Sequence, residues 1–240
     1  MSIIEYTLNT QFAENSSLSK PAWLVSNPTE NISGVRVKSM EMVNSFNVID
    51  TRNNQISFTE NTNSSLVCTF PTGNIYPPTF PATFAQCLSS IGTLTYTGIY
   101  NTTSNTMSIS TNNSANNITF NSVGNSIYYE AGLLSNQNIK MSTNFTSGYI
   151  DLSGVKVVNM NCNEFYKTAL VLGSNQNCIA SVPIGVNFGY VFSYQNPSNA
   201  FITCELQNLG KISLTLFDEF YRSLTVNSPW QMSLQLQLKS

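Results

Sequence analysis

No histidine occurs anywhere in the chain, and its 240 residues include only ten basic and twelve acidic ones. The first absence removes the side chain that most often moves protons near neutral pH and the commonest metal ligand. A serine or cysteine nucleophile would have to borrow a lysine as its base. The second leaves few carboxylates for acid–base work. With a net charge of -2, a pI near 5.1 and no cluster of Lys or Arg, there is no electrostatic footprint for a polyanion, and direct nucleic-acid binding is disfavoured. Long apolar runs are missing too: none approaches the roughly 18 residues needed to cross a bilayer. The start, Met1-Ser-Ile-Ile-Glu5, lacks a basic segment leading into an apolar core, so the expectation is a soluble, unprocessed chain made in the cytosol. No G-x-S-x-G, P-loop or G-x-G-x-x-G occurs, the glycines standing singly at turns.

Cysteine is sparse and odd in number: Cys68, Cys87, Cys162, Cys178 and Cys204, with no C-x-x-C spacing. Two readings stand, buried small hydrophobes in a reducing compartment, or disulfides or metal ligands; the first is expected. Without histidine a zinc site would need four cysteines from distant segments. Seven N-x-S/T sequons begin at Asn15, Asn31, Asn63, Asn101, Asn112, Asn117 and Asn144. About seven are expected by chance at this Asn, Ser and Thr content, so they say nothing about secretion.

What the chain does have is amide and hydroxyl: 32 Asn and 56 Ser plus Thr. Such groups favour turns and tolerate left-handed backbone, which suits many short strands. It also has a core, since 41% of residues are hydrophobic and 14 Phe and 11 Tyr are spread along the length. Near the C-terminus Trp230, Met232, Leu234, Leu236 and Leu238 alternate with Gln231, Ser233, Gln235 and Gln237, the period-two signature of a half-buried strand.

The same texture recurs. Ile3–Leu8 is a possible strand, followed by a Ser/Asn/Pro-rich stretch from Asn15 to Ser33, broken by Ala22-Trp23-Leu24-Val25, that reads as a terminal arm or as an edge strand with a long loop. Strands are expected from Val35 to Val43, at Phe46–Ile49, Ile56–Phe58, Leu66–Phe70, Thr93–Tyr100, Thr106–Ser110 and Ile118–Phe120. Later ones fall at Tyr149–Leu152, Val155–Met160, Ala169–Leu172, Cys178–Val182, Tyr190–Tyr194, Ile202–Leu206, Ile212–Phe217 and Trp230–Leu238. Phe80, Phe84, Cys87, Leu88 and Ile91 recur at helical spacing behind Pro81, with Gly92 at the C-terminal end. Ser126–Gly132 reads as a second helical turn. The whole predicts an all-β protein: a single jelly-roll sandwich of two antiparallel sheets with one or two short helices in connections. Residues 1–33 form the arm or edge strand and 34–240 one jelly-roll domain.

Candidates for chemistry are few. Asp218-Glu219 is the one adjacent acidic pair, read as a solvated turn rather than a metal or substrate site. Glu130, Asp151, Glu164 and Glu205 are isolated, and nothing marks two of the carboxylates as a glycosidase pair. Trp23, Trp230 and the tyrosines offer faces for sugar stacking, but Trp230 falls on the apolar side of its strand and reads as core. No catalytic, cofactor-binding or metal-binding residue is assigned, and no cofactor.

Several stretches together resemble the penton, or minor capsid, proteins of the tectivirus and adenovirus lineage, especially those of virophages and polinton-like viruses. They are Val43-Asn-Ser-Phe-Asn-Val-Ile49 with Asn53-Asn-Gln-Ile-Ser-Phe58, Thr69-Phe-Pro-Thr-Gly-Asn-Ile-Tyr76 leading into the helix at Pro81–Ser90, the hairpin from Tyr100 to Ile109, and the strand Ile212–Phe217 with its acidic turn before the Trp230 strand. The resemblance covers most of residues 34–240. It implies a virion structural protein without catalytic activity: a homopentamer at the five-fold vertices of an icosahedral capsid, contacting the surrounding major capsid protein, with no direct nucleic-acid contact and no membrane span. Synthesis is expected in the host cytoplasm. The alternative is the receptor- or glycan-binding head of a viral fibre or spike; an all-β hydrolase acting on polysaccharide is the third reading.

Overall fold

The computed structural model describes residues 2–61, 64–112, 118–121, 125–133, 139–141, 144–165 and 177–239. They group into two compact units, unit 1 from Met1–Phe46 with Val155–Ser240 and unit 2 from Asn47–Gly154. In chain order the elements are β1 (Ile3–Asn9), β2 (Ala22–Val43), β3 (Gln55–Glu60), β4 (Leu66–Thr69), α1 (Phe80–Ile91), β5 (Tyr96–Asn101), β6 (Thr106–Thr111), β7 (Ile118–Asn121), β8 (Ile139–Met141), β9 (Asn144–Thr146), β10 (Val157–Cys162), β11 (Cys178–Pro183), β12 (Val191–Gln195), β13 (Ile202–Phe217) and β14 (Gln231–Leu238). The protein is thus all-β, with antiparallel pairing between the named strands, one short α-helix among the described residues and a jelly-roll-like plan.

In unit 1 the strand order is β1-β14-β2-β13-β10-β11, and β12 also pairs with β2. β2 is the spine. Its Glu41 faces Gln231 of β14 on one edge and Ser193 of β12 on the other, and Val35 lies between Leu236 and Ile202. The apolar rhythm of β2 skips a beat between Val37 and Met40 because the register against β14 shifts there, leaving Lys38 as the extra residue of a bulge. At the N-terminus Ile3–Asn9 is an edge strand, pairing along the whole of β14. No long loop runs from it to residue 33, because β2 already begins at Ala22 and residue 33 falls inside that strand. The sequence hides this because β2 is irregular where Pro28 stands, between the paired residues Leu24 and Thr29. β13 continues past its β2 partners, and Leu214–Phe217 pairs with β10.

β14 corrects another expectation. The period of two puts its polar side in water, yet Ser233 and Gln235 are buried. The Ser233 hydroxyl donates to Glu5 (2.5 Å), Gln235 donates to Glu5 (2.7 Å) and accepts from Arg36 Nε (2.7 Å), so this face carries a polar network. The opposite face, with Met232, Leu234 and Leu236, joins Val35, Val37, Met40, Leu214, Leu216 and the Trp23–Trp230 pair in the core.

Unit 2 holds two sheets, β4-β3-β7-β8 and β5-β6-β9, and α1. The helix is where its spacing puts it, burying Phe80, Phe84, Ala85 and Leu88 among Phe58, Phe70 and Phe120. Phe84 stacks on Phe70 (5.5 Å) and meets Phe80 and Phe120 edge-on (5.9 and 6.0 Å). Gly92 does end α1, but with φ -79° it is extended rather than left-handed. It is glycine for space, since a Cβ there would run into the carboxylate of Glu60. Phe46–Ile49 and Tyr149–Leu152 are not strands; Ile49 makes only an isolated bridge to Gly73. Ser126–Gly132 supplies one helix-like turn, Ala131 N–H donating to Ile127 O at 2.9 Å. Ala169–Leu172 lies outside the described residues. Cys68 of β4 and Cys87 of α1 form a disulfide, against the expectation of free thiols, while Cys162, Cys178 and Cys204 are free and buried. The pairing joins a strand to a helix 19 residues away, which no local spacing announces.

Candidate functional site

The acidic pair at the end of β13 divides its labour. Asp218 is fully buried, not solvated as its sequence position suggested. Its Oδ1 accepts from the N–H groups of Phe220 (2.9 Å) and Arg222 (2.8 Å), and its Oδ2 takes Arg222 Nε at 2.7 Å. The carboxylate is a bracket that closes the turn, with Tyr221 left-handed at φ 57°. Glu219 accepts from the Lys156 N–H (3.2 Å).

The other acids singled out in the sequence have similar roles. Glu164 accepts from the Ser213 N–H (3.0 Å) and the Cys162 thiol (3.1 Å); burial first, then that carboxylate, pushes the thiol well above its ordinary pKa. Glu130 takes the Asn53 amide at 2.7 Å, and Asp151 takes the Ser153 N–H and hydroxyl. Asp151 and Glu130 are neighbours through their backbones, N–H to carbonyl at 3.0 Å, yet their carboxylates serve these different partners. Glu205 is exposed and meets Lys239 at 3.6 Å. Among the described residues no three His, Cys, Asp or Glu side chains converge as metal ligands.

Sequence reading missed the most elaborate of these brackets. Glu60, at the end of β3, is buried and accepts from Thr93 N–H (2.8 Å), Thr93 Oγ1 (2.5 Å), Leu94 N–H (3.3 Å) and Tyr96 Oη (2.8 Å). Burial pushes its pKa up, but these donors outweigh it and the net shift is downward; Tyr96, buried and donating to Glu60, is pushed up. Glu5 is held down at about 2, first by Ser233, then Gln235 and Lys38. Donors to Glu60 come from more than thirty residues downstream, so no linear motif marks the group.

Trp23 and Trp230 are not available to a sugar. Both are buried, packed edge to face at 6.2 Å, and their indole N–H groups donate to Asn9 O (2.9 Å) and Leu18 O (2.8 Å). An open groove of about 210 Å³ in unit 1 runs between Gln11, Glu41, Val191, Pro229 and Trp230. Near it in sequence, Phe12, Tyr190 and Val191 are exposed; on unit 2 the exposed large side chains include Tyr76, Ile99 and Tyr149. The arrangement offers carboxylates fixed as hydrogen-bond acceptors and neutral surfaces studded with aromatics.

No family model and no curated protein matches the sequence. Among solved structures the fold is similar to that of the mavirus penton protein: the match covers 98% of this chain and 98% of that one, with a TM-score of 0.50 and 10% identity. The likeness is one of fold, and it is the fold to which the sequence resemblance pointed.

Proposed function

We propose that the chain is a penton-type capsid protein, a homopentamer that closes the five-fold vertices of an icosahedral capsid and abuts the surrounding major capsid protein. The observation that carries this reading is the end-to-end correspondence with a penton protein, 98% of each chain. A shared fold does not by itself fix a function, but the chemistry agrees with a mechanical role. Of the carboxylates singled out in the sequence, Asp218, Glu219, Asp151 and Glu164 hold backbone N–H groups, Glu130 holds the Asn53 amide and Glu205 pairs with Lys239 at the surface. Exposed Phe12, Tyr76, Tyr149 and Tyr190, set in amide-rich surfaces, suit the neutral, partly aromatic contacts of subunit interfaces. Head-to-tail contacts between identical subunits close into a ring when the rotation allows it. In this reading the protein works in the virion after synthesis in the host cytoplasm, with no cofactor, no direct contact to nucleic acid and no catalysis.

Mass measurement of the purified chain under native conditions tests it. Five copies are expected. Three copies would point instead to the head of a fibre or spike, and a monomer that persists at high concentration and is missing from vertex density would overturn the proposal.

A further inference from the structure

Unit 2 contains two cysteines, and they are the two that pair. Their surroundings differ. Cys68 lies on the inward face of β4, fully buried opposite Ile56 of β3, whereas Cys87 stands on the flank of α1 beside exposed Gln86, with part of its surface reached by solvent. The bond ties α1 to the strand behind it. In unit 1 the cysteines stand apart from this chemistry. Cys162, Cys178 and Cys204 are all buried, and burial pushes Cys162 well above the ordinary thiol value and Cys204 up to about 11. Thiol–disulfide exchange needs a thiolate and a path for the attacking sulfur. Burial closes that path for all three unit 1 thiols and leaves one reachable sulfur.

We propose that Cys87 is a redox modification site at which the Cys68–Cys87 staple is opened and closed by low-molecular-weight thiols and their disulfides, of the glutathione class. In opening, a small thiolate attacks Cys87 Sγ. The Cys68–Cys87 bond breaks, Cys68 leaves as a thiolate and takes a proton, and Cys87 is held in a mixed disulfide. A second small thiolate then attacks the small-molecule sulfur of that mixed disulfide and releases Cys87. Two small thiols are oxidised to one disulfide while the protein disulfide gains two electrons and two protons. Closing is the reverse, the small disulfide being the oxidant. Attack falls on Cys87 because Cys68, fully buried, offers no approach. If the capsid reading above is right, the staple would be open during synthesis in a reducing cytosol and close once the particle reaches an oxidising medium.

The test uses the full chain and does not depend on its assembly state. After incubation with oxidised glutathione and quenching by an alkylating agent in denaturant, peptide mass mapping should find three alkylated cysteines, Cys162, Cys178 and Cys204, and the 68–87 cross-link. After reduced glutathione it should find five. The variant Cys68→Ser, exposed to oxidised glutathione while native, should carry one glutathione, on Cys87. Should that variant not fold, reduced wild-type protein pulsed with a limiting alkylator should be labelled at Cys87 at least tenfold faster than at any other cysteine. Closing a loop of this length is worth on the order of a hundredfold in the folding equilibrium, so proteolysis within α1 should accelerate by up to that factor on reduction. Five alkylated cysteines after oxidised glutathione, glutathione on a unit 1 cysteine, or equal labelling rates would each overturn the proposal. None of these outcomes touches the pentamer, whose own test is the native mass.

Discussion

Asp50, Arg52, Glu60, Glu130, Lys140 and Asp151 are the charged residues of unit 2, while unit 1 has eight of each sign. The numbers matter less than where the charges point. In unit 2 Arg52 grips Asp50 at 2.6 Å with side chains only 9% and 18% exposed, and Glu60 and Glu130 are buried. In unit 1 the Glu5–Lys38 and Glu205–Lys239 pairs lie at the surface. The cores differ in the same direction. Unit 2 packs a run of phenylalanines around one helix, whereas unit 1 packs Val, Leu and Met from long strands around a tryptophan pair. Two ways of stabilising a β fold are thus present in one chain: in unit 2 Asp50, Arg52, Glu60 and Glu130 act inside as brackets, and in unit 1 much of the charge dresses the surface. A neutral exterior lowers the desolvation cost of burying that surface against another protein.

The aromatic core gives the largest expected effect. Phe84 is fully buried and touches Phe70, Phe80 and Phe120, so Phe84→Ala should cost about 4 kcal/mol, read from chemical denaturation. Leu234→Ala, at a fully buried site of β14, should cost about 3 kcal/mol. A larger loss at Leu234 than at Phe84 would break the contrast, showing that the phenylalanine cluster is filler around a fold held elsewhere.

How much of this was legible depends on the distance over which each element is specified. α1 was readable because Phe80, Phe84 and Leu88 repeat within one segment, and β14 because its period of two is local. The first part of β2 was not, since its partners lie 180 or so residues away and its ladder is broken where Pro28 stands. The sequence position of Asp218-Glu219 does place it in a turn, but Asp218 is buried with Arg222 on its carboxylate and the Asn159 amide of β10 on its carbonyl, which pairwise spacing does not report. Glu60 and the Cys68–Cys87 pair escaped notice for the same reason: their partners are assembled by tertiary packing.

Glu60 and Glu5 sharpen the comparison with one residue type in two settings. Glu60→Ala strands the Thr93 and Leu94 N–H groups and the Tyr96 hydroxyl, and should cost about 3 kcal/mol. Glu5→Ala removes a partly exposed carboxylate from Lys38, Ser233 and Gln235, and should cost under about 1 kcal/mol, less in high salt. Both carboxyls have folded pKa values below the ordinary 4.5. Their contribution is therefore complete above that pH and declines as the pH falls through the folded value, about 2 for Glu5. Stability of the wild type should fall on acidification below pH 4.5, and that slope should be shallower in each variant. An unchanged slope in Glu60→Ala would mean that the buried carboxylate is not ionised.

A glycine test comes next in size. A Cβ on Gly98 of β5 would overlap the backbone carbonyl of Pro81 at the start of α1. Backbone cannot swing aside as a side chain can, so Gly98→Ala should cost about 2 kcal/mol by forcing helix and strand apart. A neutral result would show that α1 floats on the sheet of β5, β6 and β9.

The smallest expected effect separates two left-handed turn positions. In unit 2 Gly132 has φ 69°, and a Cβ would strike the carbonyls of Gly148 and Tyr149, so glycine is required twice over. In unit 1 Tyr221 has φ 57° with an exposed ring, held there because Asp218 binds the N–H groups on either side of it. A left-handed non-glycine residue costs roughly 1–2 kcal/mol, and glycine at that position returns roughly 0.5–1 kcal/mol of it as extra unfolded-state entropy. Tyr221→Gly should therefore stabilise the chain by about 0.5 kcal/mol in thermal or chemical unfolding. That gain would mark Tyr221 as kept for something other than the stability of the isolated chain, as expected of a residue displayed to a neighbouring subunit; a loss would mean that its ring packs on unit 1 and that the Asp218 bracket serves the fold alone.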